Sequence, residues 1–304
     1  MKLWPDADLS ALNGKTILVT GANSGIGFYA AKAFADAGAE VVMACRSPER
    51  GAAAVRLIGG KSRLELLDLA DFASIHEFAS RLKTQTDRLD ILLNNAGVMA
   101  PATRQTTRQG YELQLGVNFL GHFLLTCLLA KPILQSPCAR VIQVSSVAHR
   151  QGKMNWTDLQ SENRYRGWTA YRQSKLAMLI FAEELARRAA AQQWTMLSLA
   201  AHPGIAATEL VTNGPGQNSM IAFLQKIAAP VLQQTAEAGA WPLVLAATTP
   251  HAQQGDYYGP QGWQECRGLP GRAKMEPRAL DQAAGQRLWE EAVRLTNIDF
   301  MPGQ

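Results

Sequence analysis

Tyr171 and Lys175 stand four residues apart at the head of an apolar stretch, Tyr171-Arg172-Gln173-Ser174-Lys175-Leu176-Ala177. On a helix, positions i and i+4 share a face one turn apart, which sets an ammonium beside a phenol. A free phenol titrates near ~10 and is a poor proton donor or acceptor at neutral pH. A neighbouring cation favours the phenolate, so the spacing predicts a lowered pKa and a usable general acid/base at Tyr171. Many solvated helices carry the same spacing. Its weight here comes from a glycine-rich turn about 150 residues upstream, the second end of a dinucleotide site.

That turn is Thr20-Gly21-Ala22-Asn23-Ser24-Gly25-Ile26-Gly27, between an apolar strand-like run and an Ala-rich helical one. Gly21 permits the tight turn, Gly25 lets backbone approach a pyrophosphate, and Gly27 allows close helix packing. Free N–H groups and the helix dipole at Gly25–Gly27 favour an anion. The next strand ends in Ala44-Cys45-Arg46 with no acid to bind both ribose hydroxyls. Arg46 instead supplies a cation suited to a 2′-phosphate, so NADP(H) is expected over NAD(H). Asp68-Leu69 follow the third strand, where a side chain can meet the adenine amino group or simply cap a helix.

The elements that must position these residues alternate strand and helix, the signature of βαβ units and a parallel sheet. Strands are predicted at Thr16–Thr20, Glu40–Ala44, Arg63–Leu67, Leu89–Leu93, Arg140–Val144 and Thr195–Ala200. Helices are predicted at Ile26–Ala37, Pro48–Leu57, Asp71–Thr86, Gln109–Gln135 and Trp168–Ala191. Two more are expected around Ile221 and Glu237, and a last one over Pro277–Leu295. Strand runs without polar alternation imply helices on both faces, hence a doubly wound Rossmann-type α/β sheet. No linker or composition break divides the chain. It reads as a single domain over 1–304, with a core of about 15–250 and a C-terminal extension of about 251–304. Residues Leu210–Leu232 mix Gly and Pro with apolar side chains, as a mobile substrate lid or a surface helix with one core-facing stripe would.

Composition bounds the function. The 304 residues are 47% hydrophobic and 18% charged, with a formal net charge of +5. The basic residues are scattered, which argues against a nucleic-acid surface. Cys45, Cys127, Cys138 and Cys266 have neither metal nor disulfide spacing, as in a reducing cytoplasm. The five histidines lack ligand-like clustering and read as structural, so no metal is expected. No signal peptide is legible at the N-terminus, and Phe119–Ala130 is shorter than the ~20 residues of a membrane helix.

Together these residues resemble the classical short-chain dehydrogenase/reductase family, from about Lys15 to Thr208. The resemblance is carried by the glycine-rich turn, Asn94-Asn95-Ala96-Gly97, Asn118, Val144-Ser145-Ser146, Tyr171-x-x-x-Lys175 and Pro203-Gly204-x-x-x-Thr208. Val144–His149, Ala44-Cys45-Arg46 and Ala201-His202-Pro203-Gly204 are closest to its retinol-dehydrogenase-like branch. Membrane-bound members of that branch carry an N-terminal hydrophobic anchor, and none is legible here. The resemblance implies that Tyr171 is the general acid/base, that Lys175 lowers its pKa and binds the nicotinamide ribose, and that Ser146 rather than Ser145 binds the substrate oxygen. It implies that Asn118 holds a water in a proton relay. It also places Asn95, Ala96, Gly97, Pro203, Gly204, Ile205 and Thr208 along the cofactor. A small apolar carbonyl or alcohol substrate follows, and a homo-oligomer built on the helices near Asn118 and Tyr171 is compatible with it. The rival reading is a non-catalytic NADP(H) sensor, which typically loses the Tyr or Lys retained here. Tyr171 stands 25 positions after Ser146, and the insertion Gln151–Tyr165, with Met154, Trp156 and Leu159, is expected at the substrate rim.

Overall fold

The computed structural model describes residues 7–205 and 234–301. The lid expected at Leu210–Leu232 and the helix around Ile221 lie outside the described residues. Eight strands form one sheet: β1 (Thr16–Thr20), β2 (Glu40–Cys45), β3 (Ser62–Leu66), β4 (Ile91–Asn94), β5 (Arg140–Val144), β6 (Leu197–Ala201), β7 (Tyr257–Pro260) and β8 (Pro270–Arg272). Their spatial order is β3-β2-β1-β4-β5-β6-β7-β8. All neighbouring pairs are parallel except β7 with β8. The strand order reverses between β1 and β4, and their carboxyl ends frame the crevice where open α/β sheets bind ligands.

Alternate strand residues serve opposite faces, which is why the inner strands β1, β2, β4 and β5 are largely apolar and buried. Ile17 and Val19 join the core under α1 (Gly25–Asp36), α2 (Pro48–Ile58) and α7 (Ala236–Thr248). Leu18 points into the core under α3 (Phe72–Gln85), α4 (Gly121–Leu128), α6 (Gly167–Ala191) and α8 (Gln282–Thr296). A short α5 (Ala130–Leu134) ends the α4 arm.

The helix expected from Gln109 begins later. Residues Thr106 and Glu112 pair as an antiparallel bridge, and Glu112 is buried with its carboxylate accepting from the N–H groups of Gln114 and Leu115. Burial raises that carboxyl above its usual range. From Leu115 to Leu120 the helix widens into a π-turn, a form that recurs at functional sites, and Asn118 sits within it. The sheet also runs on past residue 250. Tyr257 and Tyr258 pair with Ala200 and Ala201 as a seventh strand rather than packing as an appendage, while Trp263 is exposed.

Candidate active site

The glycine-rich turn leaves β1 through Gly21, whose φ is +67° and whose N–H donates to Ala44 O at 2.8 Å. A Cβ on Gly27 would run into Asn95 Nδ2 and lie 2.5 Å from Gly21 O, so only glycine lets α1 sit this close to the loop after β4. The N-cap of α1 is Ser24, whose side chain makes no capping bond. By contrast Ser47, Asp71, Thr235 and Asp281 each cap their helices. The uncapped first turn, with Gly25 at φ +56° and Asn23, Ser24 and Ile26 half-buried around it, is the cradle an anion would fill. A pyrophosphate fits this donor set.

Thr20 closes the turn from below. Its Oγ1 accepts from the N–H groups of Asn95 and Ala96, both at 2.9 Å, while Asn95 Nδ2 donates to Thr20 O at 2.8 Å. The same Oγ1 lies 2.9 Å from His122 Nε2. His122 Nδ1 lies 2.8 Å from Asn118 O, an acceptor only, so the ring proton is on Nδ1 and Thr20 donates to Nε2. Burial lowers the His122 pKa to about 3, which keeps the ring neutral. A histidine with no ligand spacing in the sequence thus joins the phosphate turn to Asn118.

At the outer end of the crevice, Arg46 is exposed directly after β2 and just before the Ser47 cap. Asp68 spends one carboxylate oxygen on Ala70 N at 2.9 Å, the local-cap alternative, and its backbone N–H goes to Ser74 Oγ. Leu69 is buried, and Gly121 of α4 packs on its carbonyl.

The inner end gathers the chemical groups. Ser146 follows β5 in extended backbone, and its Oγ accepts from Ala148 N at 3.2 Å, which leaves the hydroxyl proton free to donate. Ser145 faces the other way, donating to Lys175 O at 2.8 Å. Tyr171 is 8% exposed, faces the Ser146 side chain as a hydrogen-bonding partner, and meets the Trp168 ring edge to face at 5.8 Å. Lys175 Nζ lies 5.9 Å from the Tyr171 ring centroid and donates to Val144 O at 2.9 Å. The expected lowering of the phenol pKa is not what this geometry gives. Burial pushes Tyr171 up to about 12 against the opposing pull of Ser146, and burial also brings Lys175 down to about 8. Both groups pay desolvation in the same pocket, and the ammonium is turned toward a carbonyl.

Asn118 is fully buried, and its amide is committed. Its Oδ1 accepts from Val98 N at 2.8 Å, and its Nδ2 donates to Val98 O at 3.0 Å and Ser174 Oγ at 2.9 Å. These bonds hold Gly97 beside it; a Cβ there would lie 3.6 Å from Lys175 Nζ. Past β6, Pro203 and Gly204 bend the chain, with Ile205 N donating to Cys266 O at 2.7 Å. Thr208 lies outside the described residues. The insertion lies half-buried against the core. Met154, Trp156 and Leu159 pack on the core beneath α6 and α8, with the Arg287 guanidinium 4.6 Å from the Trp156 ring centroid.

Among the described residues no three His, Cys, Asp or Glu side chains gather as metal ligands, and no helix is long and apolar enough to cross a membrane. A family model described as short chain dehydrogenase matches residues 15–218. Retinol dehydrogenase 13 of Homo sapiens is 38% identical over 301 residues, spanning 95% of this chain and 87% of that protein. A solved structure of an uncharacterised protein from Mycobacterium paratuberculosis superposes with a TM-score of 0.80 at 34% identity, covering 97% of this chain and 99% of that one. A Beutenbergia cavernae protein described as an NAD(P)-dependent gluconate 5-dehydrogenase, solved with NADP bound at low occupancy, superposes with a TM-score of 0.64 at 26% identity, over 82% and 96% of the two chains. The chain belongs to the short-chain dehydrogenase family, whose members are oxidoreductases using a nicotinamide cofactor. Within that family it falls in the retinol-dehydrogenase-like branch.

Proposed function

We propose that this protein is an NADP(H)-dependent oxidoreductase that interconverts an apolar aldehyde or ketone and its alcohol. The observation that carries the reading is the convergence of Ser146, Tyr171 and Lys175 at the carboxyl edge of the sheet, on the same crevice as the uncapped N-terminus of α1. The bound dinucleotide supplies or accepts the hydride. Gly21, Asn23, Ser24, Gly25, Ile26 and Gly27 cradle its pyrophosphate, and Arg46 takes the 2′-phosphate. Asp68 and Leu69 border the adenine. Asn95, Ala96 and Gly97 line the crevice floor, while Pro203, Gly204 and Ile205 border the nicotinamide.

Tyr171 holds the proton that a carbonyl oxygen needs on reduction, and its high pKa keeps that proton in place until charge develops on the oxygen. Ser146, with its oxygen already accepting from Ala148, donates its hydroxyl proton to the same oxygen and stabilises the alkoxide. Lys175 holds a positive charge beside the phenol and a hydrogen-bonding head for the ribose. The amide of Asn118 is occupied and its main-chain carbonyl already accepts from His122 Nδ1, so a relay water at this residue would take the second lone pair of that carbonyl. An apolar substrate is supported by the Trp168 wall at Tyr171 and by the relative's name, which specifies retinol, an apolar alcohol.

The deciding experiment follows NADPH and NADH oxidation by absorbance, with purified protein and a panel of apolar aldehydes and ketones. NADPH-dependent turnover is expected, and cofactor binding without turnover on any carbonyl would favour a sensor. Arg46→Asp is expected to weaken NADPH at least about tenfold more than NADH, the loss of one charge-assisted phosphate contact. Equal losses would remove Arg46 from the 2′-phosphate site.

A further inference from the structure

A second polar cluster lies behind the crevice, where the chain leaves β6, and the chemistry above leaves it without a task. Its centre is Glu265, whose side chain is 13% exposed. Glu265 Oε2 accepts from Arg150 Nη2 at 2.6 Å and from His202 Nε2 at 3.0 Å, and Oε1 accepts from Lys274 N at 3.0 Å. Burial pushes this carboxyl up, but His202, the Lys274 N–H and Arg150 together bring it below the ordinary range. The imidazole is fully buried, and its Nδ1 accepts from Gly204 N at 3.2 Å. That bond places the ring proton on Nε2, aimed at Glu265.

Each arm of the cluster ends on a different part of the candidate site. Arg150 belongs to the short helix Val147–Gln151 that Ser146 caps, and His149 in the same turn has Nδ1 2.6 Å from Ser146 O. The second Arg150 nitrogen, Nη1, donates to Gln264 O at 3.0 Å. Through His202 the carboxylate reaches Gly204, which bends at φ +64° with no room for a Cβ against Cys266 O. The backbone around the carboxylate is itself strained: Gln264 and Glu265 are consecutive non-glycine residues at φ +52° and +57°. Such conformations persist only where the surroundings over-determine them, and they concentrate at functional sites.

We propose that Glu265 is a positioning residue which, through Arg150 and His202, sets the spacing between the Ser146 turn and the Pro203–Ile205 bend. This rests on the oxidoreductase reading, in which Ser146 binds the substrate oxygen and the bend borders the nicotinamide. A 1 Å error between two such groups is costly, because hydride transfer needs reacting atoms held in line. A merely stabilising ion pair would affect melting alone.

Glu265→Gln keeps the shape and removes the charge, and Arg150→Lys keeps a cation without the fork. Three properties are measured on the full chain: NADPH affinity by fluorescence titration, kcat and KM on a reduced carbonyl, and hydrogen exchange at the Gly204 and Ile205 amides. Glu265→Gln is expected to lower kcat tenfold or more with KM for the carbonyl little changed, and to speed exchange at both amides. Arg150→Lys should give smaller effects of the same kind. Unchanged kcat and exchange in both variants would overturn the proposal, as would losses that follow the fall in melting temperature alone. Should the unaltered protein bind NADPH yet reduce no carbonyl, the oxidoreductase reading fails by itself. Glu265 is then judged by exchange and NADPH affinity, and unchanged values for both overturn it. If Glu265→Gln does not fold, Arg150→Lys carries the test.

Discussion

Tyr171 shows how far a local pattern reaches. Its four-residue spacing from Lys175 is a property of any helix, so the pair was legible from sequence. The pKa was not, because it depends on how deeply β5, α6 and the loop after β4 bury the phenol together. A phenol at about 12 stays protonated throughout the neutral range, and Tyr171→Phe removes that proton without touching the phosphate cradle. Turnover is expected to fall at least about a thousandfold, within the range of acid/base catalysis, with NADPH affinity nearly intact. Steady-state rates and a fluorescence titration separate the two. Lys175 gives the accompanying pH dependence. Its pKa of about 8 means that the ammonium is held below pH 8 and lost above it, while Tyr171 still keeps its proton. The kcat/KM for NADPH reports the free enzyme, so it should be flat from pH 6 to 7.5 and fall as pH rises through about 8. A profile level to pH 10 would detach the Lys175 charge from cofactor capture.

At the scale of elements, β1, the loop after β4 and the π-turn of α4 are joined by one neutral imidazole. His122 has its folded pKa depressed to about 3, against 6.5 for the ordinary group. His149 is brought down to about 4 by burial, which outweighs its bond to Ser146 O, and its Nε2 has no hydrogen-bond partner among the described residues. The sign follows from linkage: between these values and 6.5 the unfolded chain binds protons that the folded chain refuses. Stability is therefore whole at pH 7 and is lost as pH falls from 6.5 toward 4. Each histidine contributes up to about 1.4 kcal/mol per pH unit. Urea midpoints at pH 7, 6 and 5 should decline steadily, and His122→Gln should decline less steeply; equal slopes would remove His122 as a source. The sequence showed the strands and most helices because apolar runs and helix caps are local signals. It concealed β7, whose Tyr257-Tyr258-Gly259-Pro260 is short and contains two residues typical of turns. It also concealed Glu265, whose partner His202 lies 63 residues away along the chain.

At the scale of the whole molecule, the helix that carries Tyr171 is held from outside by the C-terminus. α8 lies along α6 and reaches the π-turn. Its anchor is Trp289, 3% exposed. The indole meets Phe123 of α4 edge to face at 5.1 Å and Phe181 of α6 at 5.9 Å, with the Arg188 guanidinium 4.1 Å from its centroid. Its Nε1 donates to Asp299 Oδ1 at 2.8 Å, so the single polar atom of the ring is satisfied. Trp289→Ala opens a cavity among three helices and removes one of the two donors to Asp299 Oδ1, the other being Phe300 N, a loss of about 3–5 kcal/mol measured by urea unfolding. Leu57→Ala, at a side chain 75% exposed, should stay within about 0.5 kcal/mol and serves as the control. Phe181 lies more than two turns along α6 from Tyr171, so kcat well below the melting temperature should change little in Trp289→Ala. A fall in kcat with the fold intact would instead show that the C-terminal helix sets the position of Tyr171, and that the scaffold and the site are coupled through α6.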